Sequence, residues 1–373
     1  MKKYDIVVYG ATGFTGSLIA EYLAERVAER GDIRWALAGR NLEKLRRVRD
    51  EIGADDIPII LADYTDPASL KSLAESTRLV LTAVGPYSLY GTPLVAACAH
   101  AGTDYLDLTG EPQWIRKMID DYSAEATSSG ARILFACGFD SIPSEVGMQL
   151  LQDAALAKFG KTLPQVRGRM VKFVGGPGGG SIATGMAMGK QAAEDPEVAA
   201  LLANPFALTP GFTGPEQPTG MEAGDEPDVG KVQPFFLGPT NVKNVHRSNM
   251  LMDHKYGTDL VYDEMLAVAE TFAPPAGPPL QPGQGPTREA MNKGCFELLL
   301  IGRDDEGHTL TASVASSKDP GFMTTSRIIT ETALLLLDSP EVQPGIWTPG
   351  AALYGKLAQR LEERAFMTLK VVN

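Results

Sequence analysis

Cysteine and histidine are scarce in this chain. Cys98, Cys137 and Cys295, with His100, His246, His254 and His308, are all that 373 residues contain. Three scattered thiols cannot build a disulfide framework and lack metal-ligand spacing, and the four histidines are scattered, so neither a stapled scaffold nor a histidine-rich metal site is expected. Long hydrophobic runs are missing too. No stretch approaches the ~18 apolar residues of a membrane-spanning helix, and Asp5 and Gly10 interrupt the short apolar run behind Met1-Lys2-Lys3 before it can serve as a signal peptide. Basic charge is also short, with 34 Lys and Arg against 46 Asp and Glu and a net charge of −12. A surface that neutralises phosphates needs a basic patch, so nucleic acid is not an expected partner. Docking on anionic lipid would rest on a local basic face alone. These absences describe an acidic cytoplasmic protein, peripheral to a membrane at most. Its length divides, at ~150 residues per domain, into two or three domains.

Strand and helix signals alternate through the first 140 or so residues. Tyr4–Tyr9 is a β-branched run of the kind buried on both faces of a sheet, and Leu18, Ile19, Tyr22, Leu23 and Val27 then line one face of a helix. Further strands are expected at Arg34–Ala38, Ile57–Ala62, Leu79–Val84, Asp104–Leu108 and Arg132–Cys137. Helices lie between them, one opened by Asn41 and one by Asp66-Pro67. Six alternations with short connections predict an α/β fold, a Rossmann-type doubly wound parallel sheet. Beyond it the pattern loosens. Strands are expected at Val166–Val174, Val242–Met252, Gly294–Gly302 and His308–Ala315, and helices at Thr325–Leu337 and Ala352–Phe366. Pro205–Pro239 and Pro274–Pro286 are too rich in Pro and Gly for helix or central strand. The expected organisation is a cofactor domain over 1–145, a mixed α/β domain over 146–324, and C-terminal helices over 325–373 that pack back on the first.

Gly10, Gly13 and Gly16 fall between a strand end and a helix start, where a glycine loop cradles a dinucleotide pyrophosphate. The second strand then decides the nucleotide. It ends Ala38-Gly39-Arg40-Asn41 with no acid to hold a ribose 2′-hydroxyl, whereas Arg40 can grip a 2′-phosphate, so NADP(H) is the expected cofactor. None of the eleven tyrosines has a lysine four residues on, which removes the short-chain dehydrogenase chemistry that such a loop also serves. Cys137 reads either as a semialdehyde-dehydrogenase-like nucleophile or as a small buried residue. The turns after the fourth, fifth and sixth strands open at the same carboxyl edge as the glycine loop. They bring Tyr87, Glu111 and Asp140 to the nicotinamide side as candidates to donate a proton or orient a substrate. Each has a plainer reading, as packing aromatic, helix-start charge and turn residue respectively. Tyr87 is the preferred donor because a phenol stays protonated at neutral pH. The expected cofactor contacts are Gly10, Thr12, Gly13, Phe14, Thr15, Gly16, Arg40, Asn41, Asp63, Val84, Gly85, Pro86, Gly138 and Phe139. Gly175–Gly180, ahead of Ser181, reads either as a second anion-binding turn or as a permissive one.

GATGFTG at Gly10–Gly16, ALAGRN at Ala36–Asn41, VGPY at Val84–Tyr87 and TGE at Thr109–Glu111 resemble the saccharopine dehydrogenase-like oxidoreductases. So do GFDSIPSE at Gly138–Glu145, DPGF at Asp319–Phe322 and TPGAAL at Thr348–Leu353. The likeness runs almost end to end, and the trans-acting enoyl reductases are its nearest branch. It implies a second domain that carries the substrate and often the contacts of a homodimer. It also implies hydride transfer from NADPH to a conjugated C=C bond of a small-molecule or carrier-bound acyl substrate. Two other readings stand beside it: reduction of an imine or carbonyl, as in saccharopine chemistry, and a non-catalytic NADP(H)-sensing regulator.

Overall fold

The structure is a computed structural model that describes residues 2–176, 178–267, 280–281 and 283–372. Most of the Pro274–Pro286 stretch lies outside the described residues. The first six strands are β1 (Tyr4–Tyr9), β2 (Trp35–Gly39), β3 (Ile59–Leu61), β4 (Thr77–Thr82), β5 (Asp104–Leu106) and β6 (Arg132–Leu134). They alternate with α1 (Phe14–Arg30), α2 (Leu42–Glu51), α3 (Pro67–Ser76), the short α4 (Tyr87–Tyr90), α5 (Thr92–Ala101) and α6 (Pro112–Ser129). The spatial order is β3-β2-β1-β4-β5-β6, parallel throughout, which is the doubly wound dinucleotide-binding order. Alternate residues of β1 serve two cores. Ile6 and Val8 enter one, and Val7 and Tyr9 the other, so the strand must be apolar on both faces.

Helix α7 (Ile142–Phe159), which contains residue 145, leads into a second sheet and packs on it. There follow β7 (Gln165–Val174), α8 (Gly179–Glu194), α9 (Pro196–Ala203), β8 (Gly224–Glu226), β9 (Gly230–Pro234) and α10 (Gly238–Leu251). β10 (Val261–Ala267), α11 (Arg288–Lys293), β11 (Cys295–Arg303) and β12 (Thr309–Ser316) complete the middle of the chain. Here β7 and β10 run parallel and the other pairings are antiparallel. After a π-helical turn at Pro320–Thr324, α12 (Thr325–Leu337) packs on α1. β13 (Gly345–Trp347) then joins the outer edge of β6. Finally α13 (Pro349–Ala352) and α14 (Leu357–Arg364) lead to β14 (Met367–Val371), which pairs with β12 at the edge of the second sheet.

Four expectations need correction. The Pro- and Gly-rich Pro205–Pro239 stretch is not all loop: it holds β8 and β9, and β9 pairs on both sides, with β8 and β10. Val242–Met252 is helix α10, not strand. Asn241, Asn244 and Ser248 lie on one side of it and bond inward to Glu264, Ser141 and Glu145, so a buried polar face hides the helical period. The single helix expected over Ala352–Phe366 is two short ones, broken at Gly355 with φ +78°. The segment after residue 324 is not purely helical, because β13 and β14 complete the two sheets.

Candidate active site

The carboxyl ends of β1, β2, β4, β5 and β6 open onto a cleft of about 690 Å³, roofed by segments of the second half of the chain. Gly10 turns the chain out of β1 with φ +84°, a conformation closed to a branched residue. Gly16 packs against the Gly10 carbonyl so tightly that any Cβ would collide with it. Gly13 differs, since a Cβ there would meet only the Gly10 oxygen at 3.4 Å. Gly13 caps α1 without a side-chain acceptor. Among the described residues nothing accepts from the N–H groups of Phe14, Thr15 and Gly16, which leaves a first turn free to bind an anion. Arg40 is exposed at the rim beside Tyr64 and makes no hydrogen bond or ion pair among the described residues.

The turns after β4, β5 and β6 are tied to one another. The Glu111 carboxylate is fully buried and accepts from the N–H groups of Tyr87 at 2.5 Å and Ser88 at 3.0 Å, fixing the start of α4. The Tyr87 hydroxyl donates to the Thr82 carbonyl at 3.3 Å and accepts from the Leu108 N–H at 3.1 Å, and burial holds its phenol far above the ordinary range. Asp107, at the end of β5, accepts from the N–H groups of Thr109 and Ala136 and from the Tyr105 hydroxyl. Its burial pushes the carboxyl up to about 7. The bond to Ala136 helps hold that residue at φ +59°, a strained conformation at the cleft wall. Phe139 N–H donates to the Thr325 hydroxyl, which anchors the turn after β6 to α12.

Asp140 is the exception in this network. It lines the cleft near Gly110, forms no hydrogen bond or ion pair among the described residues, and is pushed up to about 6 by burial alone. Cys137, by contrast, is fully buried, and burial raises its thiol far above the ordinary range, so it presents no thiolate to the cleft.

Gly10, Thr12, Gly13, Phe14, Thr15, Arg40, Val84, Gly85, Gly138 and Phe139 all border the cleft, as do Tyr87 and Asp140. Gly16 lies beneath the loop, Asn41 caps α2, and Asp63 accepts from Thr65 in its own turn. Pro86 precedes α4, and Glu111 supports the wall from behind. Sequence reasoning missed Tyr64, Tyr90, the inner face of α8, and Phe322, whose ring meets Phe14 edge-on at 5.0 Å. A signal for Phe322 was present in Asp319-Pro320-Gly321-Phe322. Asp319 accepts from the Phe322 N–H at 2.7 Å and thereby presents the ring.

Residues 6–134 match the saccharopine dehydrogenase NADP-binding domain. A trans-acting enoyl reductase of Mycobacterium ulcerans is 34% identical over 409 residues, covering 97% of this chain and 96% of that protein. A Mycobacterium tuberculosis protein provisionally given the same name is 36% identical over 408 residues, 96% of each. The chain belongs to the saccharopine dehydrogenase-like oxidoreductases, in the trans-acting enoyl reductase branch. Apo saccharopine dehydrogenase (L-Glu forming) of Saccharomyces cerevisiae, at 10% identity, shares the fold with TM-score 0.58 over 99% of this chain and all of that one. The NADP(H) of this oxidoreductase family fits the residues present. The acceptor-free first turn of α1 suits the pyrophosphate, and the rim guanidinium of Arg40 suits the 2′-phosphate. No helix among the described residues of this family member is long and apolar enough to cross a membrane.

Proposed function

We propose that this oxidoreductase reduces the conjugated C=C bond of an acyl thioester, with NADPH as hydride donor. Further, we propose that the acyl group arrives bound to a carrier, in the cytoplasm, as a step of lipid biosynthesis. The observation that carries the reading is one continuous cleft. It joins the glycine loop to a chamber walled by Phe139, Phe173, Phe236, Leu237 and Phe322, with the carboxyl of Asp140, which has no partner among the described residues, beside it. An apolar acyl group suits such walls, and among the described residues they offer no cationic pair for a dicarboxylate.

Bound NADPH supplies the hydride. Gly10, Gly13 and the first turn of α1 would hold its pyrophosphate and Arg40 its 2′-phosphate. The chain's own residues do the rest. Aromatic walls exclude water from the reacting bond, and Asp140, in its protonated form, delivers the proton. The Tyr87 hydroxyl is engaged at both ends, and the Glu111 carboxylate holds two backbone N–H groups. Both therefore serve as positioning residues in this reading.

The test is NADPH oxidation across 2-enoyl thioesters, imines and ketones. Turnover confined to imines or ketones would overturn the reading, and binding of NADPH without any turnover would favour a sensor. On the accepted thioester, Asp140→Asn is expected to lower kcat by about 10²- to 10⁴-fold with NADPH affinity unchanged. Tyr87→Phe is expected to stay within about threefold of wild type. A donor must carry its proton, so wild-type kcat/KM should fall as pH rises through about 6, and that limb should vanish in Asp140→Asn.

A further inference from the structure

Helix α8 runs Gly179–Glu194 and buries almost nothing, with Gly179 its one buried residue. Ser181, Thr184, Gly185 and Met188 fall at spacings of three and four, so they share one face, and that face lines the cleft. Thr184 lies against Gly85 in the turn after β4, which puts this strip beside the turn expected at the nicotinamide side.

Gly185 is anomalous in this setting. A glycine inside a helix costs about 1 kcal/mol relative to alanine, and such a residue usually answers to a close neighbour or a positive φ. Gly185 has neither. A Cβ built there meets nothing within 4 Å, and its backbone is ordinary helix. Gly185 is exposed and borders the cleft, on the same helix face as Ser181 and Met188. Gly189, one turn on, is equally unobstructed but does not line the cleft.

We infer that the cleft-facing strip of α8 is the wall that limits acyl size, and that Gly185 is the residue that keeps room for a long aliphatic chain. This inference rests on the acyl reading above and adds to it a substrate class and a specificity-determining residue. Met188 and the aromatic wall supply the apolar surface that a chain of methylenes would cover, and the glycine leaves depth for it.

The experiment compares Gly185→Leu and Gly189→Leu with wild type. Both replacements raise helix propensity, so both proteins should fold, and thermal melts check this. Filling a pocket by a few methylenes discriminates about 10- to 200-fold. Gly185→Leu should therefore lower kcat/KM for a 2-dodecenoyl thioester by at least about tenfold. It should stay within about threefold on the crotonyl thioester, with NADPH affinity unchanged. Gly189→Leu should match wild type on both. A second readout needs no turnover: binding of a dansylated undecanoic acid to the NADP⁺-loaded protein should be lost in Gly185→Leu and kept in Gly189→Leu. Failure of wild type to reduce any 2-enoyl thioester would overturn the reductase reading and leave the binding readout to decide this one. Equal probe binding by Gly185→Leu and wild type would overturn the inference. So would no probe binding by wild type, or a parallel loss of NADPH affinity.

Discussion

Single residues divide here by whether they have partners. Glu111, Asp107 and Tyr87 are buried near the cleft, and their polar atoms are spent on neighbouring turns. Arg40 and Asp140 reach the cleft with no hydrogen bond among the described residues, and free groups are the ones a ligand can use. For Arg40 the consequence is measurable. Removing a charge-assisted contact to the 2′-phosphate should cost roughly 1.5–3 kcal/mol, or about 10- to 150-fold in affinity. Titration of NADPH and NADH into wild type and Arg40→Ala checks it: NADPH binding should weaken by that factor while NADH binding changes little. Equal NADPH affinity in the two proteins would remove Arg40 from the site. The glycine loop and Arg40 were legible from the sequence because their roles follow from local conformation and charge. Phe322 left a local signal in the turn that Asp319 caps, whereas Tyr64 left none, since it reaches the cleft through tertiary packing.

Elements were legible where one local force set them. Tyr4–Tyr9 is a run buried on both faces, and the positions of the first six strands were legible from apolar runs alternating with helical patterns. Helix α10 was not, because its buried face is polar and its partners lie in α7 and β10. Glu145 shows what that interface demands. Its carboxylate accepts from Ser248 on α10 and from the Gly350 N–H on α13, and burial pushes it up to about 7. A carboxyl whose folded pKa is raised binds its proton more tightly in the native state. Its stabilising effect is complete below the unfolded value near 4.5 and is lost as pH rises through about 7. The ionised form then costs on the order of 3 kcal/mol. Glu145→Gln removes the charge and keeps an acceptor. Wild type and variant melts should lie close together at pH 5, with the variant gaining relative stability by pH 8; parallel melting curves across that range would refute the argument.

At the scale of the whole molecule, the two sheets share a core. One hydrophobic cluster runs from Ile6 and Leu79 through α12 to Leu298 and Val314. The return of the chain is latched at Glu331 on α12, which is buried and meets Tyr22 and Arg26 of α1 and Arg360 of α14. β13 and β14 then close one edge of each sheet. A protein is made from its N-terminus onward, so this arrangement sets an order on its birth. The cofactor sheet leaves the ribosome with β6 as a bare edge and stays so until β13 is made from residue 345; β12 has a shorter wait, from residue 316 to residue 367, for its neighbour. Unpaired strand edges recruit other strands. A chain stopped after residue 340 should therefore pellet on expression at a level where the full chain stays in the supernatant. From residue 134 to residue 345 the nascent protein carries its nucleotide-binding sheet assembled but unsealed, a client for whatever shields open strands in the cell until β13 arrives.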